Sequence, residues 1–484
     1  LRADAVIYVD QDADSPLHNG SDWCHAYLSL QQALGSVDSL EDYTEIRVAA
    51  GTYTPTSGTD RTKAFVLLED VAIYGGYAGC GEADPDRRDP VAYETILSGD
   101  LLGNDDPNPT STCCAAHGPP GCDTGTCETA VCAKRASCCT GTWDRVCAAL
   151  AVMHCCNTCG NTCDNSYHIV IGWSAGESGT AILDGFTIER GYADGTGTSF
   201  SERGPGIFNY AVASSPVISN CQIRRNVALG KGGGAYNQMT VATYTNCVFS
   251  NNVAPLGGAM SNWSAGTRLT LVNCTNCTLH SNTASEAHGG IWNNNSNPSD
   301  IITLDNCILW DNADPGGMGE SAQMNPGEGQ VVVDYSIVRG WTGLFGGVGN
   351  NGNDPLFVDA DGVDDIPGTA DDDLRLAAGS PCINTGDPAT VPGLEEIDAA
   401  GEQRLQGCRV DRGAYETSTL QMAGDFDADD QVSLSDYASF YNCFEPTVVD
   451  PEWLDTCLCL FDDDGDADID LADFAAFSRI LDVP

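Results

Sequence analysis

Positive charge is what this 484-residue chain has least of. Lys and Arg total 21 against 69 Asp and Glu, a formal net charge of −48. Binding phosphates takes clustered Lys and Arg, so this balance excludes nucleic acid as a partner. It also disfavours anionic membranes and polyuronate substrates. It favours cations, calcium above all, whose ligands are carboxylate oxygens. Long apolar runs are missing too: none reaches the roughly 18 residues a membrane span needs, so no transmembrane helix is expected. No signal peptide is seen, and the chain starts near its first strand, as expected of a secreted protein already processed. With 54 glycines and so few Lys and Arg residues, a helical protein is not expected. The length leaves room for two or three domains and a large core.

What is present is a repeat between Val217 and Asn312. Ser219-Asn220-Cys221-Gln222-Ile223-Arg224-Arg225-Asn226 aligns with Thr245-Asn246-Cys247-Val248-Phe249-Ser250-Asn251-Asn252. Thr275-Asn276-Cys277-Thr278-Leu279-His280-Ser281-Asn282 and Asp305-Asn306-Cys307-Ile308-Leu309-Trp310-Asp311-Asn312 continue the series. Cysteine and the apolar residue two places on alternate as in a strand. Short strands returning every 20 to 30 residues with Gly/Asn turns define a parallel β-solenoid, whose coils bury their apolar faces by stacking like on like. Asn226, Asn252, Asn282 and Asn312 are expected to end their strands, where Asn tolerates left-handed backbone. A Gly-rich line, from Gly206-Ile207-Phe208-Asn209 to Gly290-Ile291-Trp292-Asn293, adds a second face. Cys221, Cys247, Cys277 and Cys307 read as buried, reduced packing thiols, because Phe186 and Tyr335 take the same place at the ends of the array. Cys274 lies off the column and is expected to react or pair.

Residues 6 to 100 read as strands and turns, with helical spacing between Trp23 and Leu34. Ser21-Asp22-Trp23, Val48-Ala49-Ala50-Gly51-Thr52-Tyr53, Ile73-Tyr74-Gly75-Gly76-Tyr77 and Thr95-Ile96-Leu97-Ser98-Gly99-Asp100 stand in this stretch, and Leu183-Asp184-Gly185-Phe186-Thr187-Ile188 follows later. Through these motifs the chain resembles secreted bacterial right-handed parallel β-helix proteins, related to polymorphic outer-membrane and adhesin-like repeat proteins, over roughly residues 1 to 416. Asp354-Pro355-Leu356-Phe357, Ser380 to Asp387 and Asp411 to Glu416 resemble the terminal coils of the same proteins. Cys382 and Cys408 are expected to pair there. The acidic stretch Asp359, Asp361, Asp364, Asp365 and Asp371 to Asp373 reads either as a solvated turn or as a calcium-clamped loop.

Cysteine is abundant, at 24 residues, which implies an oxidising compartment. Twelve of them fall between Cys113 and Cys163, in a block with little periodicity that interrupts one coil. Six disulfides are the leading reading, since modules too short for a core are stapled this way. A zinc site is the rival, given Cys156, Cys159 and Cys163 with His117 and His154 nearby. The even count of twelve fits complete pairing better.

At the C-terminus Asp425, Asp427, Asp429, Gln431, Ser433 and Asp436 occupy positions 1, 3, 5, 7, 9 and 12 of an EF-hand loop. Asp462, Asp464, Asp466, Asp468, Asp470 and Asp473 form a second copy, and amphipathic helical runs follow each. Val432 and Ile469, at position 8, would pair the two loops. The duplication, the Asp at position 12 and the loop-then-helix order look like a dockerin, which implies Ca2+ as cofactor and a cohesin-like partner. Asp430 and Ala467 depart from the usual glycine at position 6, and Leu434-Ser435 and Leu471-Ala472, where cohesin is read, are not identical.

The expected fold is therefore all-β, a right-handed parallel β-helix with a disulfide-rich insertion and a small α-helical dockerin-like calcium-binding domain. The boundaries are 1–106 and 165–416 for the helix and its C-terminal cap, 107–164 for the insertion, 417–422 for a linker and 423–484 for the terminal module. No Asp-Asp pair followed by a Gly-His-Gly or an Arg-x-Lys element stands in the coils. The coils offer Arg224, Arg225, Lys231 and Arg268, without interleaved acidic ligands, and His280 and His288 read as surface residues. The expectation is thus an extracellular, calcium-stabilised structural or adhesive solenoid that is not an enzyme. It would contact glycans or the cell surface, self-associate head to tail into fibres, or dock through its C-terminal module. The alternative is a β-helix carbohydrate-active enzyme, a polysaccharide lyase or glycoside hydrolase carrying a dockerin.

Overall fold

The repeated columns are the rungs of a parallel β-helix. The computed structural model describes residues 5–37, 44–106, 109–173, 180–196, 200–210, 215–265, 268–295, 297–325, 327, 329–393, 396–407, 409–417, 432–444, 461, 469 and 471–480. Four parallel sheets run along the described coils. The first has nine strands, from Ala5–Val9 to Gln330–Asp334, and the second has eight, from Gly51–Tyr53 to Ile337–Val338. The third has four, from Tyr192–Ala193 to Thr283–Ala287, and the fourth six, from Phe65–Leu67 to Ile291–Asn295.

Register makes the core. In the second sheet Ile188, Ile223, Phe249, Leu279 and Leu309 stack as direct partners, all fully buried. Each such side chain contributes roughly 1.5–3 kcal/mol on burial. Cys221, Cys247, Cys277 and Cys307 point inward beside them as free thiols. Cys274 is also a buried free thiol, stacked between Tyr244 and Leu304 in the first sheet, which overturns its expected reactivity. Asn226, Asn252 and Asn282 each give the side-chain amide to the next side-chain oxygen, at 3.1, 2.9 and 2.8 Å, and Asn312 ends the ladder on Gln323. The left-handed residues are the ones just before them: Arg225, Asn251, Ser281 and Asp311, with φ between 49° and 56°. The ladder asparagines face inward to bond the stack, so the turn falls one residue earlier than expected. The first asparagine column, Asn220, Asn246, Asn276 and Asn306, is left-handed as well.

At one end Leu30, Ala33 and Leu34 of helix α1 (Leu30–Ser36) pack on the core; elsewhere Trp341 and Phe345 lie against it after the last rung. Cys24 and Cys80 form a disulfide in the N-terminal coils.

Between two coils the cysteine-rich block folds around α2 (Gly125–Lys134) and α3 (Arg145–His154). All twelve of its cysteines pair: 113–122, 114–159, 127–155, 132–139, 138–147 and 156–163. The zinc alternative fails on this pairing, and His117 stacks on buried Trp143 instead. Ala149 and Met153 of α3 pack on Tyr192, Val227 and Val253, so the module sits on the outer face of the third sheet.

Among the described residues, 354–393, 396–407 and 409–417 add no strand to the four parallel sheets. They fold back as a strap across the outer face of the second sheet, where Leu374, Ala399 and Ala414 pack on Val248 and Phe357 lies edge-on to His280 at 5.4 Å. Ala414 N–H donates to Thr278 Oγ1 (3.0 Å) and Asn246 Nδ2 to the Ile397 carbonyl (2.7 Å). At Gly368, φ 87°, a Cβ would lie 2.6 Å from that of Asn251, so only glycine lets the strap approach this closely. Cys382 is buried among Ile308, Ile337 and Leu376 as a free thiol, so the expected bond to Cys408, which lies outside the described residues, is not made. Two C-terminal helices, Leu434–Phe444 and Leu471–Ile480, share a small core of Phe440, Phe461, Phe477 and Val432.

Alkylation of the unreduced protein tests this division of the cysteines. Cys221, Cys247, Cys274, Cys277, Cys307 and Cys382 are expected to resist reagent in native buffer and to label in denaturant. Label at any cysteine from Cys113 to Cys163 in peptide mapping would contradict the six pairs.

Candidate functional site

On the coil edge between the second and third sheets, five outward groups form one chain of ion pairs. Glu94 meets Arg224 at 3.2 Å, Arg224 meets Glu189 at 2.8 Å, Glu189 meets Arg190 at 3.1 Å and Arg190 meets Asp105 at 3.4 Å. Stacking on successive rungs places these long side chains side by side, with Arg224 and Glu189 as register partners. The strap crosses above and divides the face into two clefts.

The carboxylate cleft has a volume of about 390 Å³ and is lined by Glu94, Arg224, Ser250, Asp371, Asp372 and Arg375, among others. Thr187 Oγ1 donates to Glu94 at 2.7 Å. Asp372 accepts from the Gly368 N–H at 2.5 Å, yet burial pushes its carboxyl up to about 6. Burial alone would raise Glu189 as well, but the Arg224 and Arg190 guanidiniums hold it below the usual carboxylate range. Asp373 is spoken for by Arg375 at 2.6 Å.

The arginine cleft, about 360 Å³, lies between α3 and the strap. Its floor carries Arg190, Arg225, Asn251 and Ser281, its walls Arg145 and Asp361. Asp105 closes one end, its side chain inaccessible and its carboxyl pushed up to about 6 by burial.

Of the cations considered in the sequence, Arg224 and Arg225 reach these clefts, whereas Lys231 sits 4.2 Å over the Trp292 ring. His280 is buried, not at the surface, and burial pushes its imidazole down to about 3; His288 bonds the Ser321 carbonyl at 2.6 Å. The two do not form a pair. In the acidic loop Asp371 accepts the N–H groups of Val363 and Asp364 at 2.9 and 3.2 Å. Among the described residues its carboxylates form no trio able to hold an ion.

Of the calcium ligands read from the sequence, Asp436 and Asp473 are described, each buried in the first turn of its helix. Asp436 accepts the Ser433 N–H at 2.7 Å. Asp425, Asp427, Asp429, Gln431, Asp462, Asp464, Asp466 and Asp468 lie outside the described residues.

No family model matches the chain, and no curated protein does. Solved structures similar to it include two enzymes. One is a pectate lyase, at 12% identity and a TM-score of 0.36, over 86% of this chain and 97% of that one. The other is a pectin methylesterase from Erwinia chrysanthemi, at 10% identity and a TM-score of 0.28, over 74% and 82%. Both are named as enzymes, which corrects the expectation of a structural or adhesive rod that is not an enzyme. Within the molecule that expectation rested on missing carboxylate motifs. The strap supplies the cluster instead, by carrying Asp371 and Asp372 back to Glu94, a juxtaposition no local motif encodes. The disulfides mark an extracellular protein, and no helix among the described residues is long and apolar enough to cross a membrane.

The raised Asp372 sets a pH dependence. Its folded-state value of about 6 exceeds the ordinary 3.8, so the folded protein holds this proton more tightly than the unfolded chain and loses stability as pH rises from 4 to 6. Asp372→Asn is expected to shrink the fall in urea midpoint between pH 4 and pH 7. An unchanged fall would show that Asp372 is not protonated in this range.

Proposed function

We propose that the protein is an extracellular β-helix glycoside hydrolase whose active site is the carboxylate cleft. The observation that carries this reading is the convergence of Asp372 and Glu94 on one cavity, with Arg224 and Ser250 between strap and coil. Glycoside hydrolysis needs one carboxyl that gives a proton to the leaving oxygen and a second that activates water or attacks the sugar carbon. Asp372, its carboxyl raised by burial, serves as the acid. Glu94, oriented by Thr187 and Arg224, serves as the base or nucleophile. Arg224 keeps its charge and steadies the carboxylates it bridges, and Arg375 holds Asp373 away from the sugar. Screening the purified protein on pectin, xylan, β-glucan and mannan should reveal reducing-end release. Asp372→Asn and Glu94→Gln should each lower kcat by about a hundredfold or more, the range for lost general acid–base catalysis. Release that both variants retain would sink the assignment.

For the C-terminal module we propose two calcium loops, residues 425–436 and 462–473, that dock to a cohesin-like partner. Two observations support this: the buried carboxylates of Asp436 and Asp473 stand where an EF-hand loop closes its coordination sphere, and the small shared core joins the helices behind them. Asp425, Asp427, Asp429 and Gln431, with Asp462, Asp464, Asp466 and Asp468, would supply the remaining oxygens. Titrating calcium into the chelated full-length protein should bind two ions and protect the backbone amides of 434–444 and 471–480 from exchange. Equal exchange with and without calcium would reject the loops.

A further inference from the structure

In a chain with 69 acidic residues, Arg145 has no carboxylate oxygen within 4 Å among the described residues. Its hydrogen-bond partners among the described residues are neutral: the Asp311 carbonyl at 3.1 Å, Ser281 Oγ at 3.4 Å and Met318 Sδ at 3.9 Å. It stands on the first turn of α3, held over the solenoid by the packing of Ala149 and Met153, and it opens on the arginine cleft. Burial pushes its guanidinium down, and Asp361 on the strap opposes that shift. Burying an arginine without an ion partner is costly, so such a group marks a place where an anion completes the environment. Arg225 lines the same cleft, and Arg190 is paired with Glu189 and Asp105.

We infer that the arginine cleft is a binding subsite for one anionic group, a carboxylate or a sulfate, on an otherwise neutral glycan, with Arg145 of the cysteine-rich module as its ligand. The surroundings set that sparseness of charge. Exposed Asp361 and Asp365 stand on the strap side of the cleft, and a net charge of −48 surrounds it. A densely charged polyanion is repelled over a screening length of about 8 Å in physiological salt. A single charge beside neutral sugars reaches the guanidinium at little such cost. Asn251, Ser281 and Thr283 on the same walls offer hydrogen bonds to hydroxyls. The inserted module thus becomes one wall of a binding site. The inference goes beyond hydrolysis in the neighbouring cleft, because binding is read here without turnover.

Calorimetry on the full-length protein carrying Glu94→Gln tests it, with four probes: xylotetraose, xylotetraose bearing one glucuronate, xylotetraose bearing one sulfate ester, and tetragalacturonate. A singly charged probe should bind at least tenfold tighter than both xylotetraose and tetragalacturonate, and whichever one does so identifies carboxylate or sulfate. Arg145→Gln should abolish that preference, Arg145→Lys should restore part of it, and Asp361→Asn should strengthen it a fewfold, all with unchanged melting temperature. Equal affinity for neutral and singly charged probes, or a preference that survives Arg145→Gln, would overturn the inference. If Arg145→Gln misfolds, absence of any effect from Asp361→Asn would overturn it as well.

Discussion

Register between stacked strands is the constraint on which the rest of this molecule depends. In the second sheet Ile188, Ile223, Phe249, Leu279 and Leu309 are direct partners, and their apolar faces find cover only in the rungs above and below. A slip of one residue would turn Arg224 inward and Ile223 outward, so the alternation along each strand is strongly held. The same stacking aligns buried amides. Asn226, Asn252 and Asn282 each donate to the next Asn and Asn312 donates to Gln323, so no side-chain amide there is left to the apolar interior alone.

Stacking also creates the chemistry outside. Residues that alternate with the core project from successive rungs close to one another. Glu189 and Arg224 become ion-pair partners because they are register partners. A lone coil would leave each as an ordinary solvated charge. In the array they extend into a chain from Glu94 to Asp105 that runs between the two clefts.

Two segments then finish the surface. The cysteine-rich module is too short to build a large core and is held by six disulfides around Trp143, which frees the outer side of α3 to pack on the third sheet. The strap covers the second sheet with Phe357, Leu374 and Ala414 and brings carboxylates with it. Its buried Arg404–Glu416 pair, 3.3 Å apart, ties its own loops together. Each segment walls a cleft, so neither cleft belongs to the solenoid alone.

The solenoid and its inward columns were legible in the amino-acid order, because a coil repeats its pattern within about 30 residues. That the twelve cysteines pair among themselves was legible from their even count; which pairs with which was not. Cys274 and the left-handed turns were misplaced, because alternation alone does not show which of two adjacent residues faces the core. The strap was read as terminal coils, since apolar residues that cover an outer face look the same in sequence as those that enter a core. By itself the sequence determined the stack, whose contacts lie between neighbouring copies of one pattern. Tertiary structure alone decided the clefts: Glu94 and Asp372, like Arg145 and Ser281, meet only when distant segments fold across the finished rungs.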